Sequence, residues 1–286
     1  MKLATFQDGS RDGQLAVVSR DMSSAHFASH VATTLQQLLD DWNFISPQLE
    51  DLYATLNGGK ARHAFPFDAR LCMAPLPRAY QRLAGSAATD GSPRLLHLAS
   101  DDLLGPCADV TTFAGEAGVD SSAALAVITG DVPMGVDAAA ALDAVRLLLL
   151  VNDWSLLRGG GPWAAACSPV AVTPEDLGAA WRGGRAHLRF ERFERLDRVE
   201  HPGAGQAGQP AGLDDIAAGM PLHLGELIAA AASTRRLRAG CMLSCAIGAG
   251  TVQPQLPGDS VRAELLGSDG QSAFGAIEQR LVAPAA

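Results

Sequence analysis

The chain has 286 residues, with 31 acidic against 22 basic side chains, a formal charge of −9 and a pI near 5.2. That balance excludes a general nucleic-acid binder, whose phosphate-neutralising face must be basic. The longest leucine-rich run, "VRLLLLV" at 145–151, is far too short to cross a bilayer, and residues 1–6 are too short and polar for a secretory leader. The abundance of Gly (30) and Pro (16) favours many turns and a β-rich α+β chain over a helical bundle.

In chain order, "KLATFQDGSRDGQLAVVSRD" predicts two short strands around Asp8-Gly9 and Asp12-Gly13, a hairpin signal. "SHVATTLQQLLDDWNFISPQLEDLYATLN" has apolar residues at helical spacing, with a break expected near Pro47 and a stop at Gly58-Gly59. The Pro-rich "ARHAFPFDARLCMAPLPRAYQ" reads as a domain boundary, so a small N-terminal domain is expected over 1–70 and a larger one over 71–286. "AALAVITGDVPMG" predicts a buried strand running into a turn. "VDAAAALDAVRLLLLVNDWSLL" predicts a helix feeding a strand that ends at Asn152-Asp153.

"HLRFERFERLDRVE" alternates with period 2, which predicts a strand whose charges lie on a solvated face. "HPGAGQAGQPAGLDD" predicts a loop. "PLHLGELIAAAASTRRLRAG" predicts a helix with basic residues in its last turn and a Gly stop. No internal repeat is visible. Cys72, Cys107, Cys167, Cys241 and Cys245 are odd in number, irregularly spaced and without a CxxC pair, as expected of a reduced, cytoplasmic protein. Cys241 and Cys245 form at most half of a zinc site.

Several blocks carry a resemblance. "KLATFQDGSRDGQLAVVSRD", "VITGDVPMG", "LLLLVNDWSL", "SPVAVTPEDLGAAWRGGRAHL" and "DGQSAFGAIEQRL" resemble, in the same order, the bacterial fumarylacetoacetate hydrolase family, over residues 1 to about 282. The resemblance implies a small N-terminal domain followed by a β-roll of mixed sheets, and a homodimer. It also implies Mg²⁺- or Ca²⁺-dependent hydrolysis of a C–C bond in a β-diketone acid, or a related decarboxylation or tautomerisation. Such chemistry needs a hard cation to hold the diketone oxygens, a base to deliver water and positive groups for the oxyanion.

Carried over residue by residue, most of that machinery is missing. Ala84 and Gly91 stand where the resemblance places an early Asp and the base His. Ser122 and Ala124 replace a Glu-x-Glu pair, and Pro162 sits about where a Lys belongs. Asp153 alone remains of four metal carboxylates. Strand alternation puts Asp120, Ser122 and Ala124 on one face, so Asp120 is a conceivable displaced ligand beside Asp153. The expectation is therefore that no metal and no other cofactor is used.

The remaining candidates for chemistry are Asp153 as a base, Cys167 as a nucleophile and His97. Ser122, Thr251, Asp101 and Asp102 are candidates for substrate hydrogen bonds, and Trp154 and Trp163 for the wall of an apolar pocket. Each also has a plain structural reading as a cap, a core residue or a surface group. The reading is a repurposed, metal-independent enzyme acting in biosynthesis on a di- or polyketone or β-keto substrate, by condensation, cyclisation, tautomerisation or C–C cleavage. One alternative is a non-catalytic relative that binds a ligand or a partner protein. The other is a residual metal-dependent hydrolase or decarboxylase using Asp153 with Asp120 or Asp102. The expected partner is a small ketone or keto acid, with no nucleic acid and no membrane.

Overall fold

Alternating apolar strands and glycine-rich turns build most of the molecule. The computed structural model describes residues 1–113, 118–157, 162–195, 211–248 and 254–284. It begins with β1 (Lys2–Phe6), β2 (Gln14–Val18) and β3 (Ser24–Phe27), then α1 (Leu35–Asp40) and α2 (Trp42–Asn57). There follow β4 (Phe65–Pro66), β5 (Gln81–Ala87), β6 (Pro93–Leu98), β7 (Val110–Thr111) and β8 (Val119–Thr129). Next come β9 (Val145–Leu156), β10 (Ala164–Cys167), β11 (Ala171–Val172) and α3 (Pro174–Leu177). The remainder holds β12 (Trp181–Arg182), β13 (Arg185–Ala186), β14 (Arg189–Arg195), β15 (Ala211–Leu213), α4 (Ile216–Gly219) and α5 (Leu224–Ala231). It closes with β16 (Cys241–Ala246), β17 (Ser260–Leu266) and β18 (Ile277–Val282).

One mixed sheet runs β4-β3-β2-β1-β11-β9-β8-β16-β5-β6, with β10 also paired to β9. A second runs β15-β14-β17-β18-β7. The fold is thus α+β and strand-rich. The predicted β1–β2 hairpin forms in register, Leu3 opposite Val17, and its loop takes Gly9 at φ 85° and Gly13 at φ 60°. A side chain at 13 would collide with the Phe6 carbonyl at 2.5 Å. The long β8–β9 ladder forms the centre, and both its faces are covered. Leu125, Val127, Leu148 and Leu150 lie in one apolar cluster, and Ala126, Ile128, Leu147 and Leu149 in another, where α1 and α2 also pack.

Local differences from expectation have physical causes. The helical break falls at Asp41, not Pro47: φ −134° and ψ 50° at Asp41 end α1 and start α2. Pro47 lies inside α2, where its fixed φ suits the helix but the bond to the Asn43 carbonyl is forgone and the ring crowds that carbonyl. The segment before β9 forms only a 3₁₀ turn, Ala140–Ala144. Helix α5 is shorter than predicted. It opens with a box in which the Glu226 carboxylate accepts from the His223 N–H at 2.8 Å, and ends at Ala232, so Arg235, Arg236 and Arg238 lie beyond it. In β14 the solvated-face expectation fails at Arg192, which is 3% exposed while Phe193 is 39% exposed. Arg192 turns inward because it donates to the Ser121 carbonyl at 2.8 Å and to the Ser121 hydroxyl.

Candidate functional site

The β8–β9 register sets Ser122 opposite Asp153 and Ala124 opposite Val151. Strand β16 continues the same rows, with Ser244 between Ala126 and Ala84, and Met242 between Ile128 and Arg82. Cross-strand partners share a face and side chains alternate along a strand. Ala84, Ser122, Ala124, Asp153 and Arg82 therefore all project from one face of the central sheet. Along that face Ser122 is level with Asp153, Ala124 with Val151, and Ala84 with Leu149.

A guanidinium reaches Asp153 on that face. Arg82 is 2% exposed and Asp153 7% exposed, and Arg82 Nη2 forms an ion pair with Asp153 Oδ1. Burial pushes the Asp153 carboxyl above the ordinary carboxylate range, and the Arg82 charge opposes that rise. The Arg82 Nε–H is buried without a hydrogen-bond partner among the described residues. Buried donors are rarely left unpaired.

Cys167 lies on β10, whose register with β9 sets Ala165 opposite Asp153 and Cys167 opposite Val151. It feels both Arg82 and Asp153, but burial dominates and pushes its thiol up to about 12. At neutral pH it is a protonated thiol rather than a nucleophilic thiolate. His97 is not part of this cluster. It is exposed on β6 opposite Leu83, hence on the sheet face away from Arg82, and its Nδ1 lies 3.1 Å from Gln81 Nε2.

Asp101 and Asp102 are exposed. Trp154 is fully buried on the opposite face from Asp153, where its indole N–H donates to Gln279 Oε1 at 2.7 Å. Trp163 stacks edge-on against Phe113, with centroids 5.4 Å apart. Thr251 lies outside the described residues. Of the described candidates named from sequence, Asp153, Cys167 and Ser122 lie on adjoining strands, His97 and Trp154 face the other way, and Asp101 and Asp102 are exposed. Sequence reading missed Arg82. The available signal was a lone cation in the small-residue strand "YQRLAGSA", two positions before Ala84.

Residues 1–78 match the model of fumarylacetoacetase N-terminal domain 2. A comparison with curated proteins finds no match. Among solved structures, the chain resembles maleylpyruvate hydrolase from Sphingobium sp. SYK-6, at 18% identity and a TM-score of 0.71 over 99% of this chain and 100% of that one. The same hydrolase in complex with manganese(II) and pyruvate aligns at 18% identity and a TM-score of 0.69, over the full length of both chains. Fumarylacetoacetate hydrolase from Exiguobacterium antarcticum aligns at 16% identity and a TM-score of 0.67, over 99% of this chain and 100% of that one. The 2-hydroxyhepta-2,4-diene-1,7-dioate isomerase from Mycobacterium marinum aligns at 16% and 0.65, over the full length of both. Residues 1–78 thus match a fumarylacetoacetase N-terminal domain, and the whole chain has the fold of these hydrolase and isomerase structures. At these identities the structural likeness carries the fold and not an activity.

The cation implied by the sequence resemblance does not fit the residues present. Ala84, Ser122 and Ala124 offer no carboxylate, and Asp153 is already neutralised by a guanidinium. A dication beside Arg82 would meet repulsion in a poorly screened interior. Among the described residues, no group of three His, Cys, Asp or Glu side chains is arranged to hold a metal ion.

Proposed function

We propose that this chain is a metal-independent enzyme that binds a keto acid or β-diketone beside Arg82 and Asp153 and moves a proton between carbon and oxygen, a keto–enol tautomerisation. The observation that carries this reading is the buried Arg82–Asp153 pair with its spare Nε–H donor. Among the reactions open to a keto substrate, tautomerisation asks least of the protein: one group that takes and returns a proton, and one fixed positive charge. Condensation through a covalent intermediate would require a nucleophile, and Cys167 is held as a thiol.

The step balances within the substrate. The Asp153 carboxylate takes the α-proton, the C–H electron pair forms the C=C bond, and the carbonyl π pair moves onto oxygen. The Arg82 guanidinium stabilises that enolate oxygen. The Asp153 carboxyl then returns the proton to oxygen, giving the enol with no atom gained or lost. Burial of the carboxyl favours this role, because a raised pKa makes it a better proton acceptor at neutral pH. Solved relatives are named as hydrolases and isomerases, one of them holding pyruvate, which supports a keto acid as the ligand. The homodimer implied by the resemblance belongs to the same proposal.

A second reading rests on the same pair. An ion pair this buried also suits a non-catalytic relative that binds a keto acid and leaves it unchanged. Incubation with pyruvate in D₂O, followed by NMR of the methyl protons, separates the two. Deuterium uptake above the buffer rate, lost in Asp153→Asn and in Arg82→Gln, is the expected result. Pyruvate-induced thermal stabilisation with no exchange above buffer overturns the enzyme reading and leaves the binding one.

A further inference from the structure

A groove of about 800 Å³ lies between the start of α2 and the first residues of β5, β9 and β16. Its lining includes Trp42, Tyr80, Gln81, Arg146, Arg235 and Arg238. We infer that this groove is a second ligand site, for a small planar aromatic anion whose ring also carries a hydroxyl or N–H group.

The charge pattern selects an anion. Of the carboxylates around the groove, Asp131 is taken by Arg238 at 3.2 Å and by the Ala239 N–H at 3.0 Å. Asp40 accepts from Gln36 Nε2 at 2.7 Å, and Asp41 is exposed. Arg146 and Arg235 form no carboxylate ion pair among the described residues; each donates only to a backbone carbonyl, Asp143 at 3.0 Å and Arg236 at 3.4 Å.

The planar element follows from Arg146 and Trp42. The guanidinium carbon lies 5.7 Å from the Trp42 ring centroid, a cation–π stack that presents a flat wall. Tyr80, 66% exposed, supplies a second ring. Position 130 is part of the construction, since a Cβ on Gly130 would lie 2.9 Å from Arg146 Nε and displace the guanidinium.

Two unmet polar atoms complete the ligand description. Arg146 Nε is a buried donor and Gln81 Oε1 a buried acceptor, neither with a partner among the described residues. A bound anion meets the first, and a ring hydroxyl or N–H meets the second. Gln81 adjoins Arg82 in β5 but projects to the opposite face, so the groove and the Arg82–Asp153 cluster are separate places on one strand.

Isothermal titration of the full chain with 4-hydroxybenzoate, benzoate and inorganic phosphate tests the site. The expected result is saturable binding of 4-hydroxybenzoate, weaker binding of benzoate and weaker still of phosphate. Arg146→Gln should weaken 4-hydroxybenzoate at least tenfold, and Gln81→Leu should abolish its advantage over benzoate. Should Arg146→Gln fail to fold by circular dichroism, the exposed variants Arg235→Gln and Tyr80→Ala are expected to weaken binding in its place. Absence of saturable binding by the aromatic probes, phosphate binding as tight as theirs, or affinities unmoved by these variants overturns the inference. Pyruvate exchange at Arg82–Asp153 reads out separately and is unaffected by either outcome.

Discussion

Arg82 and Asp153, 71 positions apart in sequence, form a buried ion pair on the sheet face where Ala84, Ser122 and Ala124 also project. The pair sets a single fixed guanidinium against the one carboxylate of that cluster. Removing one partner of a buried pair leaves the other charge uncompensated, at a cost of about 3–5 kcal/mol. Arg82→Met and Asp153→Leu are each expected to lose that much by urea denaturation. The double variant should recover most of it, because an apolar replacement of both partners leaves no stranded charge.

Metal response follows from the donor set. Wild-type protein is expected to show no change in Tm with millimolar Mg²⁺ or Mn²⁺ relative to EDTA. A variant with Ala84→Asp, Ser122→Glu, Ala124→Glu and Arg82→Ala restores carboxylates and removes the competing cation. It should gain Mn²⁺-dependent stability, about 2.7 kcal/mol at a hundredfold excess over Kd. Thermal melts across an Mn²⁺ titration check both statements. Stabilisation of the wild type by Mn²⁺ would count against the fit argument.

Much of this was legible in the sequence, for reasons tied to particular residues. The apolar run at 123–129 and the glycine turns exposed β8 and the β1–β2 hairpin, but the strand expected to end at Asn152-Asp153 runs on to Leu156, which puts Asp153 inside the ladder opposite Ser122. The Arg82–Asp153 contact was not legible, because it depends on three-dimensional closure between strands that no local period reports. Arg192 was misplaced for a related reason: period 2 predicts which residues share a face, but a hydrogen-bond partner such as Ser121 decides which face is buried. The break at Asp41 shows the same limit, since a backbone conformation overrode the proline signal at 47.

Thiol chemistry gives a pH test. Burial raises the Cys72 and Cys167 thiols to about 12, above the ordinary value of 9.0. A folded pKa raised above the unfolded one stabilises the native state fully below pH 9, and that contribution disappears as pH rises through 9 towards 12. Denaturation midpoints are thus expected to fall between pH 9 and 12. Iodoacetamide at pH 8, read by mass spectrometry, should label the part-exposed Cys107 first and leave Cys167 unmodified until urea unfolds the chain. Rapid native labelling of Cys167 would contradict its assignment as an inert core thiol.

Trp154 separates stability from site chemistry. Its N–H bond to Gln279 Oε1 lies on the face away from Asp153. Trp154→Phe removes the shorter of two hydrogen bonds to Gln279 Oε1, the other coming from Asn152 Nδ2 at 3.3 Å, and should cost about 0.5–1.5 kcal/mol in urea. Pyruvate exchange per folded molecule should be unchanged. Loss of exchange in a folded Trp154→Phe protein would mean that this indole acts on the ligand after all.

The most direct test of a guanidinium acting where a cation would otherwise serve is the rate of pyruvate methyl exchange in D₂O, measured in EDTA and then with added Mn²⁺. The account predicts one rate for wild type in both conditions, and only the buffer rate in Arg82→Gln. Exchange that disappears in EDTA and returns with Mn²⁺ would contradict it.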